Sequence, residues 1–169
     1  MADRTDTFYA AEEAVSGYGS QLMVGDGSSP EQFEAIATIT TITPGSMTTA
    51  DILRTHLRSP DAHQEHMPGL RDSAAFTCEG VWLPEEQSQS NAGGGTGPFA
   101  TGGLVAHWRD RQVRNYKIVI MKAAGSPANI EWPFRAYVSQ FQPGSITGND
   151  KVNFTAGFQP TAAYDASLP

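Results

Sequence analysis

The chain has 169 residues, a length suited to one domain, and carries 18 acidic against 11 basic side chains, a formal net charge of −7. That balance argues against a chain-wide nucleic-acid-binding footprint; the single cysteine, Cys78, excludes an internal disulfide framework, and no apolar run approaches the ~18 residues of a membrane span. The charge is uneven: residues 1–34 hold seven acids and one base, whereas 35–169 hold eleven acids and ten bases.

Residues 1–18 read as an acidic N-terminal arm. Its opening, Met1-Ala2-Asp3-Arg4-Thr5-Asp6, lacks the basic segment and apolar core of a signal peptide. The expectation is a soluble chain made inside the cell, in a reducing compartment. Phe8, Ala11 and Val15 are spaced for one face of a short helix ending at Gly17. The arm is either a solvated tail or a segment that docks on a neighbour.

Gly and Pro together number 28 and cluster between short alternating segments, the pattern of an all-β domain. Residues 19–24 suit a short strand, and 25–30 form a turn cluster. Residues 33–42 are rich in Ile and Thr and are expected to form one strand, although Ile36 and Ile42 fall off the face shared by Phe33, Ala35, Ala37 and Ile39. Residues 73–82 alternate more cleanly, with Ala74, Phe76, Cys78, Gly80 and Trp82 on one side. A short helix is expected around Leu104, Val105 and Trp108, capped by Thr101, leading into a strand over 114–121.

The strongest periodicity comes late. Ile130, Trp132, Phe134, Ala136 and Val138 alternate with polar residues over 129–140, and Val152, Phe154, Ala156 and Phe158 do the same over 151–159. Such alternation predicts antiparallel strands with one packed and one wet side. Residues 143–150 make the two a hairpin. Pro133 cannot donate to a ladder, so it is expected at an unpaired or bulged position. The fold class is therefore mainly β, an antiparallel β-sandwich or partial barrel of about six or seven strands with one short helix. The organisation is the arm (1–18), a β domain (19–160) and a C-terminal tail (161–169).

Two connections are longer than ordinary loops. Residues 83–103 include Asn91-Ala92-Gly93-Gly94-Gly95-Thr96-Gly97 and read as merely flexible. Residues 43–70 carry Ile52, Leu53, Leu57, Met67 and Leu70, which need burial, among balanced charges. An apolar loop too long for its own domain is a candidate for burial against another subunit.

Catalytic signatures are missing. Asp61, His63, Glu65 and His66 do not match the spacing of a metal motif such as His-Glu-x-x-His, and no metal or cofactor is expected. There is no Gly-x-Ser-x-Gly elbow, and the glycine run lacks the Lys-Ser/Thr of a phosphate loop. Cys78 falls on an apolar strand face and reads as an inert core thiol. The carboxylate pairs Glu12-Glu13 and Glu85-Glu86 read as solvated, and Asn153-Phe154-Thr155 matches a glycosylation acceptor without a secretion signal to support it. The chain is not expected to be an enzyme.

In the long loop, Thr55-His56-Leu57-Arg58-Ser59-Pro60 followed by Glu65-His66-Met67-Pro68-Gly69-Leu70-Arg71-Asp72 resembles the major tail tube proteins of long-tailed, lambda-like bacteriophages and of related phage-like particles such as gene transfer agents. The succession of elements over about 33–160 fits the same pattern; Ser73-Ala74, where the family often has glycines, departs from it. The resemblance implies a subunit of hexameric rings that stack into a hollow tube in a virion tail, with an inter-subunit β-barrel through which DNA passes. It implies that 43–70 is the ring-stacking loop, with Ile52, Leu53, Arg54, Leu57, Arg58, Asp61, Glu65 and Met67 at the contact. Pro68, Gly69, Leu70, Arg71 and Asp72 would turn the chain back into the barrel. Lumen-facing candidates are Thr38, Thr40, Glu79, Glu131, Lys151, Asn153 and Thr155, on a bore expected to be neutral to negative. Implied partners are further copies of the chain, tape measure, tail terminator and tail tip or baseplate proteins, and DNA in transit without sequence-specific binding. No membrane is involved. The alternatives are a ring-forming tube protein of a secretion system, a monomeric β-sandwich binding module and a metal-assisted hydrolase built on 61–66.

Overall fold

A computed structural model describes residues 17–55, 63–93, 97–121, 129–148 and 150–161. The possible helix around Phe8 and Val15, the residues Leu57, Arg58 and Asp61, and the tail beyond 161 lie outside these ranges.

The body is one seven-stranded antiparallel sheet. In chain order its strands are β1 (Gln21–Gly25), β2 (Phe33–Ala35), β3 (Ile39–Thr43), β6 (Phe76–Val81), β7 (Val113–Ile120), β8 (Ile130–Pro143) and β9 (Asn153–Pro160). A separate two-stranded sheet is formed by β4 (Met47–Leu53) and β5 (His66–Ser73). The order across the main sheet is β2-β1-β7-β8-β9-β6-β3. Among the described residues one short helix, α1 (Leu104–Arg109), follows a 3-10 turn at Gly97–Phe99. No helix among the described residues is long and apolar enough to cross a membrane.

The late alternation is realised as expected. Phe134, Ala136 and Val138 on β8 and Phe154, Ala156 and Phe158 on β9 are buried, and the two strands form the predicted hairpin. On β6, Phe76 and Cys78 are buried and Thr77 and Glu79 exposed. Phe76 stacks on Phe158 at 4.5 Å and meets Phe134 edge-on at 4.6 Å, with Tyr116 against Phe158 at 5.0 Å. Leu22, Val24, Ile118 and Leu104 complete this core. Pro133 lies opposite Lys117 of β7, where β9 has already ended opposite Ala136, so its missing N–H leaves no gap in a ladder.

The segment 33–42 is two strands, not one. Phe33–Ala35 pairs with β1 at one edge of the sheet, while Ile39–Thr43 pairs with β6 at the other. Four residue steps join Ala35 to Ile39, a reach of at most ~14 Å. The sheet must therefore curl until its two edges nearly meet, giving an open half-barrel. Ile36 is buried inside this corner, its N–H bonded to Leu22 O at 2.9 Å, and Thr38 turns the chain at φ 58°. This corner explains the broken alternation of the sequence. Gly80 makes the same closeness possible: a Cβ there would stand 2.6 Å from Thr38 O and 2.8 Å from the Phe154 ring.

Residues 83–93 are folded rather than merely flexible. Ser88 and Gln89 are fully buried. Gln89 Nε2 lies 2.8–3.1 Å from Ala37 O, Thr38 Oγ1 and Val81 O, and its Oε1 accepts the Leu83 N–H at 2.8 Å. Ser88 Oγ accepts the Ala37 N–H at 3.1 Å. One glutamine thus satisfies the backbone groups that the corner leaves without ladder partners. The segment then leads into α1, where Gly103 stands at the N-cap without a side-chain cap; Thr101 instead accepts from Arg114 at 2.9 Å. The buried helix residues are Leu104, Ala106 and His107, and Trp108 points largely outward, because only one turn and a half of helix rests on β8.

Candidate assembly surfaces

The long connection 43–70 is mostly the β4–β5 hairpin. Met47 pairs with Ser73, Thr49 with Arg71, Asp51 with Pro68, Ile52 with Met67 and Leu53 with His66. The ladder extends outward through Arg54 N–H to Glu65 O at 2.7 Å, and Thr55 Oγ1 accepts the Glu65 N–H at 2.9 Å. His66 Nδ1 meets Asp51 Oδ2 at 2.6 Å on the same face. Sequence reasoning saw a loop here because Met47–Leu53 shows no apolar alternation and Pro68-Gly69 imitates a turn.

Pro68, Gly69, Leu70, Arg71 and Asp72, expected as a turn, lie within β5. The register slips there: two steps on β4, from Thr49 to Asp51, answer three on β5, from Arg71 to Pro68. The turn-like composition therefore serves a bulge, which accommodates Pro and Gly inside a strand. A Cβ on Gly69 would stand 3.0 Å from the Ile52 side chain and 3.1 Å from Ala50 O.

Every residue of β4 is exposed, and β5 is nearly so. Met47, Ile52, Leu53, Met67 and Leu70 expose between 42% and 85% of their surface. By period-two placement, Ile52 and Met67 share one face and Met47 and Leu53 the other, so both faces are apolar. A two-stranded hairpin alone is marginal in water. This one lacks a buried face of its own.

A second surface lies on the outside of the half-barrel. Register sets Thr41, Glu79, Thr155 and Gln142 side by side across β3, β6, β9 and β8, and Thr43, Thr77, Gly157 and Gln140 form the adjoining row. Gln140 Nε2 donates to Gln142 Oε1 at 3.0 Å. Glu79 is the only charged residue in the two rows. Of the lumen candidates, Glu79 and Thr155 are direct neighbours and Asn153 opens β9 on the same face. Thr40 stands at a bulge, its Oγ1 donating to Glu79 O at 3.1 Å. Thr38 is in the corner, donating to Val81 O at 2.6 Å, and Lys151 precedes β9. Glu131 is far off at the other end of β8, 3.2 Å from Lys117. Thr41, Gln140 and Gln142, which the sequence reading did not name, stand in the same rows as Glu79 and Thr155. A bulge between Val138 and Gln140 inverts the parity of β8, which puts Phe141 against Phe154 at 5.4 Å and turns the glutamines outward.

The buried titratable groups are not arranged for catalysis. Burial pushes the Cys78 thiol up to about 12, so it is protonated and unreactive. Burial, aided by the charge of Arg114 and opposed by Asp110, holds His107 down at about 4. Its Nδ1 is 3.4 Å from Tyr116 Oη. Among the described residues no three His, Cys, Asp or Glu side chains gather to hold a metal.

No protein-family model matches the chain, and no curated protein matches it in sequence. Solved structures do match. The chain is similar to a chain in the tail of an empty gene transfer agent particle with six-fold symmetry, at 13% identity and TM-score 0.62, covering 91% of this chain and 99% of that one. It is similar to a chain in the sheath-tube complex of an extracellular contractile injection system, at 14% identity and TM-score 0.62, covering 94% and 95%. It is also similar to the SPP1 tail tube, at 12% identity and TM-score 0.51, covering 88% and 77%. The fold of this chain is thus the one found in the tails and tubes of phage-like particles and contractile injection systems.

Proposed function

We propose that the chain is a structural tube subunit without chemistry of its own, which assembles into hexameric rings stacked into a hollow tail for the passage of DNA. The observation that carries this is the β4–β5 hairpin: five large apolar side chains on two faces, in a separate sheet outside the buried core. A hairpin with two apolar faces fits a position between two neighbours, within a ring or between rings. Ile52, Leu53, Arg54, Glu65 and Met67 are the contact residues on the described part. The shared fold of tail and tube chains supports the same reading.

The outer rows of Thr41, Thr43, Thr77, Glu79, Thr155, Gln140 and Gln142 are the proposed bore. They carry one acid and no base per subunit. A basic wall would exchange counterions for phosphates and hold the DNA; a neutral to acidic wall lets it slide. Closing the half-barrels side by side also removes the free edges of β2 and β3, which otherwise invite aggregation. The expected partners are further copies, a tape measure, a terminator and tip or baseplate proteins, and the expected location is the tail of a virion or phage-like particle.

The similarity to an injection-system chain supports a second reading, a tube that conducts a protein cargo. Electron microscopy of the purified chain at rising concentration tests both. Rings or tubes are expected; a lone subunit at every concentration overturns both. DNA within tubes isolated from particles separates the first reading from the second.

A further inference from the structure

The sulfur side chains of this chain are five methionines and one cysteine, of which only Met1 lies outside the described residues. Peroxides react fastest with a thiolate, but Cys78 is fully buried on β6 and held as the thiol, so it offers no nucleophile. A thioether needs no ionisation and is oxidised where it is exposed. Met23 is half-buried on β1, between β2 and β7. Met47 and Met67 are 63% and 42% exposed, the highest values among the described methionines, and both belong to the hairpin. Met121, at 37%, follows β7 on the body. The two hairpin methionines divide its surface between them. Met67 pairs with Ile52 on one face, and Met47 shares the other with Leu53. One added oxygen on each sulfur would make both faces polar.

We infer that Met47 and Met67 of the free subunit are oxidation sites that control assembly: a peroxide converts each thioether to its sulfoxide, and the oxidised hairpin no longer joins its neighbours. In that step a sulfur lone pair takes one peroxide oxygen and the O–O bond breaks. The sulfur gives two electrons to the peroxide, whose second oxygen leaves as water with both protons. The sulfoxide oxygen is a strong acceptor. Covered by an apolar neighbour, it gives up its water and gains no donor. Neither sulfur lies in the buried core, so the subunit itself keeps its stability. The inference rests on the tube reading, since only a hairpin that is covered in the assembly responds to this change.

Hydrogen peroxide applied to the dilute full chain tests it, with peptide mass spectrometry to place the added oxygens and electron microscopy to score tubes. Met47 and Met67 are expected to gain one oxygen each, at least threefold faster than Met23, with the unfolding curve unchanged. The oxidised chain is expected to need at least a tenfold higher concentration to form tubes. Methionine sulfoxide reductases, one for each sulfoxide epimer, are expected to restore the original concentration. Met47→Leu with Met67→Leu is expected to need the same concentration before and after peroxide, whereas Met121→Leu keeps the full sensitivity. If the leucine pair forms no tubes, the reductases decide: tubes that return as the two oxygens are removed support the inference, and tubes that stay lost overturn it. Chain oxidised at both positions that assembles at the original concentration overturns the inference and leaves the tube reading standing, as does resistance conferred by Met121→Leu. Untreated chain that forms no ring at any concentration overturns the tube reading, and the inference with it.

Discussion

The sheet and the hairpin of this chain are built from similar residue types and end in opposite conditions. In the sheet, Phe76, Phe134, Phe154 and Phe158 are almost fully buried against one another. In the hairpin, Met47, Ile52, Leu53, Met67 and Leu70 stand in water. The first arrangement buries its apolar side chains within a single copy. The second gains stability only when another surface covers it, since each apolar side chain fully removed from water contributes about 1.5–3 kcal/mol. On the proposed function, folding and assembly fall to different parts of one chain.

The sharpest way to break that division is to injure each part separately. Phe158→Ala removes a ring that stacks on Phe76 and meets Tyr116 edge-on, and is expected to cost about 3–5 kcal/mol of subunit stability, read by denaturant unfolding. Ile52→Asp with Met67→Asp is expected to change subunit stability by less than about 0.5 kcal/mol per substitution, while abolishing tube formation. If the hairpin pair unfolds the lone subunit as the core change does, the hairpin belongs to the core and the contrast fails.

A second test uses pH within the sheet. His107 in the folded chain takes up its proton only near pH 4, whereas in the unfolded chain it does so near 6.5. Between those values the unfolded state binds more protons. Stability is therefore complete above about pH 6.5, falls as pH drops, and levels off below 4, a loss of about 3 kcal/mol in all. His107→Gln is expected to flatten this window in a pH series of unfolding curves.

The buried glutamine gives a smaller effect. Gln89→Ala strands the part-buried Leu83 N–H and leaves the carbonyls of Ala37 and Val81 with the Thr38 hydroxyl alone, and is expected to cost about 2 kcal/mol. Because the loss falls on the corner between β2 and β3, faster amide exchange at Val81 and Leu83 is expected before global unfolding. An unchanged melting temperature would mean that water replaces the side chain and that the corner does not depend on it.

What could be read in advance follows the same contrast. Residues 151–159 and the first half of β8 obey period two because one face is buried and the other wet, so strand, face and hairpin were all legible. The rule failed where geometry breaks the period. Ile36 sits inside a corner between two edges, and the bulge after Val138 sends Phe141 inward. Met47–Leu53 was read as loop because neither of its faces is buried in the subunit, so it carries no periodic signal. Gln89 was invisible because its value lies in backbone groups brought to it by distant segments. The excess apolar content of 43–70 was legible from composition alone, and Ile52, Leu53 and Met67 are exposed in the subunit.

The smallest expected effect on the subunit is the most informative about the tube. Glu79 stands exposed in a row with Thr41, Thr155 and Gln142, without an ion pair among the described residues, so Glu79→Lys should leave unfolding within about 0.5 kcal/mol of the parent. Assembly should also survive, since the hairpin is untouched. In a six-fold ring, however, the row changes from six negative to six positive charges. Each cation facing a phosphate releases counterions, so DNA should be retained by variant tubes at low salt and freed as salt rises, with a slope steeper than that of the parent. Tubes of parent and variant that handle DNA identically would mean that this face does not line the bore. The polar rows would then be an outer surface, and the curvature of the assembled barrel would have to run the other way.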